Sequence, residues 1–312
     1  MLQTDTLTAP DGWRLRWGQW PAPISPPPHA PAPRGTVVVL GGRCEFLESY
    51  DDIAQCWVKR GYRVFSLDWR GQGLSGRFLA NRHKGHVPDF NLLADDLALF
   101  LTRIVTPATR DQPPIFFAHS MGSLVALLYL CRQSALLPQA MILSTPLLDL
   151  RTRPWPRWLA RGLARAATTL GCGDGYAFGQ SDYNPTRDAV FEGNIRTSNI
   201  EQFAIWHRAV TANPDLALGG VTFGWLEAAF RAFAVLAKPG MIERLDLPIL
   251  VLSSPDDGLI PPAAHHALCQ RAPHATLCSY PGSRHEVLRE SESIQQRVWA
   301  DIDRFLADKT ET

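Results

Sequence analysis

The sequence lacks net charge: 31 Lys and Arg nearly cancel 30 Asp and Glu, leaving +1. A polyanionic partner such as nucleic acid is therefore not expected. The start "MLQTDTLTAPDGW" has neither a basic stretch nor an apolar core, so no secretion signal is expected. No run reaches the roughly 18 apolar residues that a membrane span takes. There is no G-x-x-x-x-G-K phosphate loop and no dinucleotide-binding glycine fingerprint. Cysteine is sparse, with six scattered at 44, 56, 131, 172, 269 and 278. In the absence of a secretion signal these read as reduced thiols in a cytosolic protein. Cys269, His274, Cys278 and His285 make the one metal-like group. Their spacing is not that of a zinc finger or ribbon, and Cys278 falls inside the apparent strand "ATLCSY". No metal or organic cofactor is expected.

What is present is an ordinary globular composition, 46% hydrophobic over 312 residues. That length fits one α/β domain carrying an insertion. Alternation around "APDGW" predicts an N-terminal hairpin over residues 2–20. The proline-rich "PAPISPPPHAPAP" (21–33) reads as an extended surface loop. Apolar runs then alternate with helical stretches: "TVVVL" (36–40), a helix over 50–61, "YRVFSLD" (62–68), a helix over 89–104 capped by Asp89, "PIFFAHS", "MGSLVALLYLCRQ" and "AMILSTP". Continuously apolar strands alternating with helices predict a mostly parallel sheet covered on both faces. The rhythm stops at Pro146 and resumes at "LPILVLSS" (247–254), followed by a helix, a strand and a last amphipathic helix. The expected organisation is a core over 1–147 and 244–312, interrupted by a helical insertion over 148–243. The insertion leaves the C-terminal edge of a strand, where ligands bind in open α/β sheets. It is expected to act as a lid.

The chemistry centres on "IFFAHSMGS" (115–123), a strand running into a serine and then a helix. This is the layout of a nucleophile elbow, G-x-S-x-G, with Ala118 in place of the first glycine. A serine hydroxyl needs a base to take its proton and donors to hold the oxyanion that develops. Ser120 is therefore the candidate nucleophile. The acid is expected after a later strand, where "VLSSPDDGLIPP" offers Asp256 and Asp257. The base is expected after the last strand, where "YPGSRHEVLRE" offers His285. His265 and His266 fall on the helix after the acid and are expected at the surface. His119 is expected to point away from the nucleophile. The oxyanion donors are expected to be the backbone N–H groups of Met121 and of Arg43, the latter in the loop "LGGRCEF". The Arg43 side chain is expected either to steer an anionic head group or to be solvated.

Over nearly its whole length the chain resembles the α/β-hydrolase family, and within it the monoacylglycerol lipase and bacterial lysophospholipase group. The group's loop H-G-x-G-E-H-x-x-R-Y is met by "GGRCEFLESY", which keeps Gly42, Glu45 and Tyr50 and has Gly41 for the leading histidine. "LDWRGQGLSGR" (67–77), "KGHVPDFNLLADDL" and "SRHEVLRE" match further segments. "SSPDDGLIP" aligns with G-x-x-D-x-x-V, its glycine falling on Ser254, and this selects Asp257 over Asp256. "NPDLALGGVTFGWLEAA" resembles the lid of the lysophospholipase members.

The resemblance implies a serine carboxylester hydrolase with the triad Ser120, Asp257 and His285, acting on a lysophospholipid or a monoacylglycerol. Gly42, Phe223 and Trp225 are the candidate substrate-binding residues, and Phe230 and Phe233 read either as acyl-channel wall or as core. The alternatives are hydrolysis of a small non-lipid ester, amide or C–C bond, and a silent lipid-binding relative. In "RTRPWPRWLARGLARAA", arginines recur at 153, 157, 161 and 165 beside Trp155 and Trp158. Such a helix either lies on an anionic membrane surface or is a plain lid helix with solvated arginines. The expected location is cytosolic, with contact to the inner face of the membrane left open.

Overall fold

The computed structural model describes residues 1–20, 34–109, 112–132 and 136–310. The proline-rich loop expected over 21–33 lies outside the described residues. The hairpin is formed by β1 (Gln3–Thr8) and β2 (Arg14–Trp20), paired antiparallel. Next come β3 (Gly35–Leu40), α1 (Asp51–Lys59) and β4 (Tyr62–Leu67). The α1–β4 connection turns at Gly61, whose φ of 86° suits a residue without a Cβ.

The helix expected over 89–104 begins as α2 (Phe90–Phe100), with the Asp89 carboxylate accepting from Asn91 N–H at 2.8 Å. It does not run on as an α-helix. Residues Leu101–Val105 widen into a π-helical turn before the short α3 (Thr106–Thr109). Then follow β5 (Ile115–His119), α4 (Met121–Cys131) and β6 (Ala140–Ser144). After residue 243 come β7 (Ile249–Ser253), α9 (Pro262–Arg271), β8 (Ala275–Ser279) and α10 (Glu292–Thr310).

The eight strands form one sheet in the order β1-β2-β4-β3-β5-β6-β7-β8. Only β2 runs against the others. The expected α/β architecture is therefore present, and period-two alternation explains why its strands are apolar throughout. Val38, Leu40, Phe116 and Val251 pack into a cluster on one face with α2 and α4, while Val37, Val39, Phe117 and Leu250 join α1 and α10 on the other. Every residue of α4 is buried, so the element that follows Ser120 is fixed on all sides.

Residues between β6 and β7 carry α5 (Arg157–Thr169), α6 (Pro185–Asp188), α7 (Ile200–Ala212) and α8 (Phe223–Leu236). They are less helical than expected: 170–199 holds only the four-residue α6. Gly171, Gly173, Gly175 and Gly179 supply the interruptions. Phe230 and Phe233 of α8 are buried in the main core rather than lining a channel. α5 packs on α8.

Candidate active site

Four strand ends bring the site together. Ser120 follows β5 and sits at φ 47°, a left-handed strain for a non-glycine residue that throws its side chain out of the strand-to-helix turn. The strain is held from several sides. Ser120 N–H donates to Ser144 O at 3.0 Å, and Leu147 N–H donates to Ser120 O at 3.1 Å. The Ser123 hydroxyl donates to Ala118 O at 2.9 Å. Gly122 is where a side chain is impossible: a Cβ there would lie 2.1 Å from Leu40 O. Ala118 is fully buried and accommodated.

Ser120 Oγ–H donates to His285 Nε2 at 3.0 Å, and His285 Nδ1–H donates to Asp257 Oδ2 at 2.7 Å. A carboxylate only accepts, so Nδ1 carries the proton and Nε2 offers its lone pair to the serine. The second oxygen, Asp257 Oδ1, accepts from Leu259 N–H at 2.7 Å and Ile260 N–H at 3.0 Å. Burial pushes the Asp257 carboxyl upward. The His285 hydrogen bond and charge, with those two N–H groups, outweigh burial and hold its pKa below the usual carboxylate range. Asp256, its neighbour, is exposed and accepts from Gly282 N–H at 3.1 Å.

The loop bearing His285 is fixed from outside the triad. Thr145 Oγ1–H donates to His285 O at 2.8 Å. Buried Glu290 accepts from Arg284 N–H at 2.7 Å and from Ser198 N–H at 3.1 Å, which gives the second glutamate of "HEVLRE" a structural reason. His265 is not at the surface: it is fully buried, with Nε2 3.1 Å from Pro146 O and Nδ1 2.8 Å from the Ser253 hydroxyl. Burial lowers its pKa to about 4, so it stays neutral and braces the strand ends.

The loop expected to supply an oxyanion donor follows β3. Met121 is the first residue of α4, where an N–H has no acceptor within the helix. Gly42 is buried, and its N–H donates to the Glu45 carboxylate. The Arg43 side chain is not freely solvated, and it lines the same cleft as Ser120. Its guanidinium donates to Gly219 O and lies 5.9 Å from the Trp225 ring.

A second buried pair adjoins the triad and was not singled out from the sequence. His119 Nδ1 donates to Glu45 Oε2 at 3.1 Å, and the His119 ring lies 5.0 Å from that of His285. Burial opposes charge on both partners. For Glu45, the His119 charge and hydrogen bond, with that of Tyr50, prevail and hold the carboxyl well down; Glu45 in turn raises His119. Retention of Glu45 in the loop motif was the available signal.

Ser120 and His285 open onto a cleft of about 1030 Å³. Leu147, Leu163, Phe178, Phe223, Trp225 and Leu226 form an apolar part of its wall. Another part is polar and internally linked: Arg196 contacts His207 at 3.4 Å and Glu286 at 3.7 Å, and His207 meets the Tyr183 hydroxyl at 3.3 Å.

A sheet of this order belongs to the α/β-hydrolase fold. A soluble variant of monoglyceride lipase from Saccharomyces cerevisiae, solved with a substrate analogue, has the same fold at a TM-score of 0.74. The similarity covers 99% of this chain and 97% of that one, at 19% identity. The family model described as serine aminopeptidase, S33, matches residues 31–292, and the chain belongs to that family of serine hydrolases. The chain is 31% identical to lysophospholipase L2 of Escherichia coli K12 over 279 residues, 86% of this chain and 79% of that protein. It is 30% identical to monoacylglycerol lipase of Mycolicibacterium smegmatis over 281 residues, 88% of each.

Proposed function

We propose that the protein cleaves the acyl ester of a single-chain lipid, a lysophospholipid or a monoacylglycerol, through an acyl-enzyme on Ser120. The observation that carries this reading is a hydrogen-bonded Ser120–His285–Asp257 chain facing a cleft with one apolar and one polar stretch of wall. Such a cleft suits a ligand with an alkyl chain at one end and hydroxyls or a phosphodiester at the other. The named activities of the Escherichia coli and Mycolicibacterium smegmatis relatives support the same substrate classes.

In this reading Ser120 Oγ attacks the ester carbonyl as its proton passes to His285 Nε2. Asp257 keeps the imidazole in the required tautomer and stabilises the imidazolium. The Met121 and Arg43 N–H groups hold the tetrahedral oxyanion. His285 then protonates the departing alcohol, leaving Ser120 acylated. Water, deprotonated by His285, attacks the acyl carbonyl, and Ser120 leaves with its proton restored. No metal or organic cofactor enters these steps.

The segment 148–243 serves in this reading as the lid over the cleft. Its α5 face is the part that meets the membrane. Trp158, on α5, is 74% exposed, so its ring is not packed on the core as a plain lid helix would pack it, while Trp155, in the turn before α5, lies 6.2 Å from the Phe178 ring in the cleft wall. Arg153, Arg157, Arg161 and Arg165 are exposed beside them. A panel of lysophospholipids and monoacylglycerols against esters of short acids tests the assignment. Long-chain substrates are expected to give the higher kcat/KM; a preference for acetyl or butyryl esters would refute it.

A further inference from the structure

Each carbonyl along the oxyanion loop that accepts from a side chain has an identified donor. Trp69 Nε1–H donates to Gly41 O at 2.7 Å, and Gln72 Nε2–H donates to Gly42 O at 2.7 Å and to Glu45 O at 3.0 Å. These two donors belong to the core. The fourth grip comes from the inserted segment: Trp206 Nε1–H, on α7, donates to Cys44 O at 2.6 Å.

Cys44 is where a grip is needed. Its φ is 66°, the left-handed region that a non-glycine side chain resists. The loop motif quoted above has glycine at this position, and this chain does not. The next residue but one, Phe46, packs into a small apolar cluster with Trp206, Val210, Leu216 and Ala217. The Phe46 and Trp206 ring centroids lie 6.1 Å apart. The Cys44 thiol lies 3.8 Å from Leu218 O, and the Arg43 guanidinium donates to Gly219 O. Four independent contacts thus tie residues 43–46 to the segment 206–219.

We infer that Trp206 is a positioning residue that grips the Cys44–Glu45 peptide from the lid side and, by fixing the left-handed Cys44, sets the direction of the Arg43 N–H two peptides upstream. The inference rests on the reading of Arg43 N–H as an oxyanion donor. The indole does not touch the reacting atoms; it acts through the peptide it grips. Gln72 and Trp69 grip the loop from the core and α7 adds the grip beyond Arg43, so the docked lid both walls the cleft and completes the hold on the oxyanion loop.

The test is Trp206→Phe, which keeps an aromatic ring against Phe46 and Tyr183 and removes the N–H together with the second ring of the indole. Losing an oxyanion donor costs about 10²–10³-fold in kcat, and a displaced donor costs less. The expected result is a roughly 10–100-fold lower kcat with KM within about twofold of wild type. Affinity for a boronic acid that forms the tetrahedral serine adduct should fall by the same factor, and affinity for the product fatty acid should not change. In the double variant with Cys44→Gly, the left-handed φ no longer needs a clamp, and most of the lost kcat should return. An unchanged kcat in Trp206→Phe, or an equal loss without rescue by Cys44→Gly, overturns the inference. Ser120→Ala run alongside separates the two levels. If it stays active, the serine reading itself fails; if it is dead while Trp206→Phe is fully active, only the positioning role fails.

Discussion

Replacing Asp257 by Asn removes one charge and keeps the shape of the side chain, and the surrounding donors dictate the result. Oδ1 of Asp257 accepts from two backbone N–H groups, at 2.7 and 3.0 Å. An amide placed there must turn its oxygen toward those donors, because its NH₂ would meet them donor to donor. The NH₂ then faces His285 Nδ1, where the carboxylate accepts at 2.7 Å. His285 is forced to accept at Nδ1 and to carry its proton on Nε2, facing Ser120 Oγ at 3.0 Å. An imidazole in that tautomer cannot take the serine proton. The expected loss in kcat is about 10⁴-fold, equivalent to about 5.5 kcal/mol of transition-state stabilisation. Steady-state hydrolysis of a p-nitrophenyl ester, with circular dichroism to confirm the fold, measures it. Activity of Asp257→Asn within tenfold of wild type would refute the tautomer argument and the assignment of Asp257 as the acid.

Other expectations follow from the same geometry. Ala118→Gly should be tolerated within about 1 kcal/mol. Ala118→Val should overpack the elbow by about 1–3 kcal/mol and lower kcat, read by chemical denaturation and ester hydrolysis; a fully active valine variant would contradict a tight elbow. Glu45 is held to about 2 from an ordinary 4.5. A depressed carboxyl stabilises the fold above its unfolded pKa, and that contribution is lost as pH falls below about 4.5. Glu45→Gln should therefore be less stable at pH 7, with a shallower loss of stability across that acid window in urea titrations; an unaltered slope would be contrary evidence. Trp158→Ala should weaken sedimentation with phosphatidylglycerol-containing vesicles and leave turnover of a soluble ester unchanged. Equal sedimentation of both proteins would remove α5 from the membrane face.

Much of this was legible in the residues, because strand burial on two faces leaves continuous apolar runs and the elbow demands small residues at fixed offsets. "TVVVL", "YRVFSL" and "AMILS" lie in strands, and Gly122 is the position where Leu40 O excludes a side chain. What was not legible depends on contacts between distant segments. Nothing local to "PPAAHHAL" says that His265 is buried between Ser253 and Pro146, 12 and 119 residues away in sequence. The Glu45–His119 pair spans 74 residues, and the Trp206–Cys44 hydrogen bond spans 162. The π-helical turn at Leu101–Val105 likewise interrupts a stretch whose spacing reads as unbroken helix. The helical spacing of Trp, Phe, Ala and Arg over 148–243 reads as helix throughout, but closely spaced glycines between 171 and 179 break it.

The most direct test of the central claim is covalent. A fluorophosphonate reacts with a serine only when a base and an oxyanion hole activate it. Intact mass and peptide mapping of the labelled protein should show one adduct, on Ser120, and the Ser120→Ala protein should take up none. Labelling of Ser120→Ala equal to that of wild type, or an adduct mapped to another residue, would contradict the account.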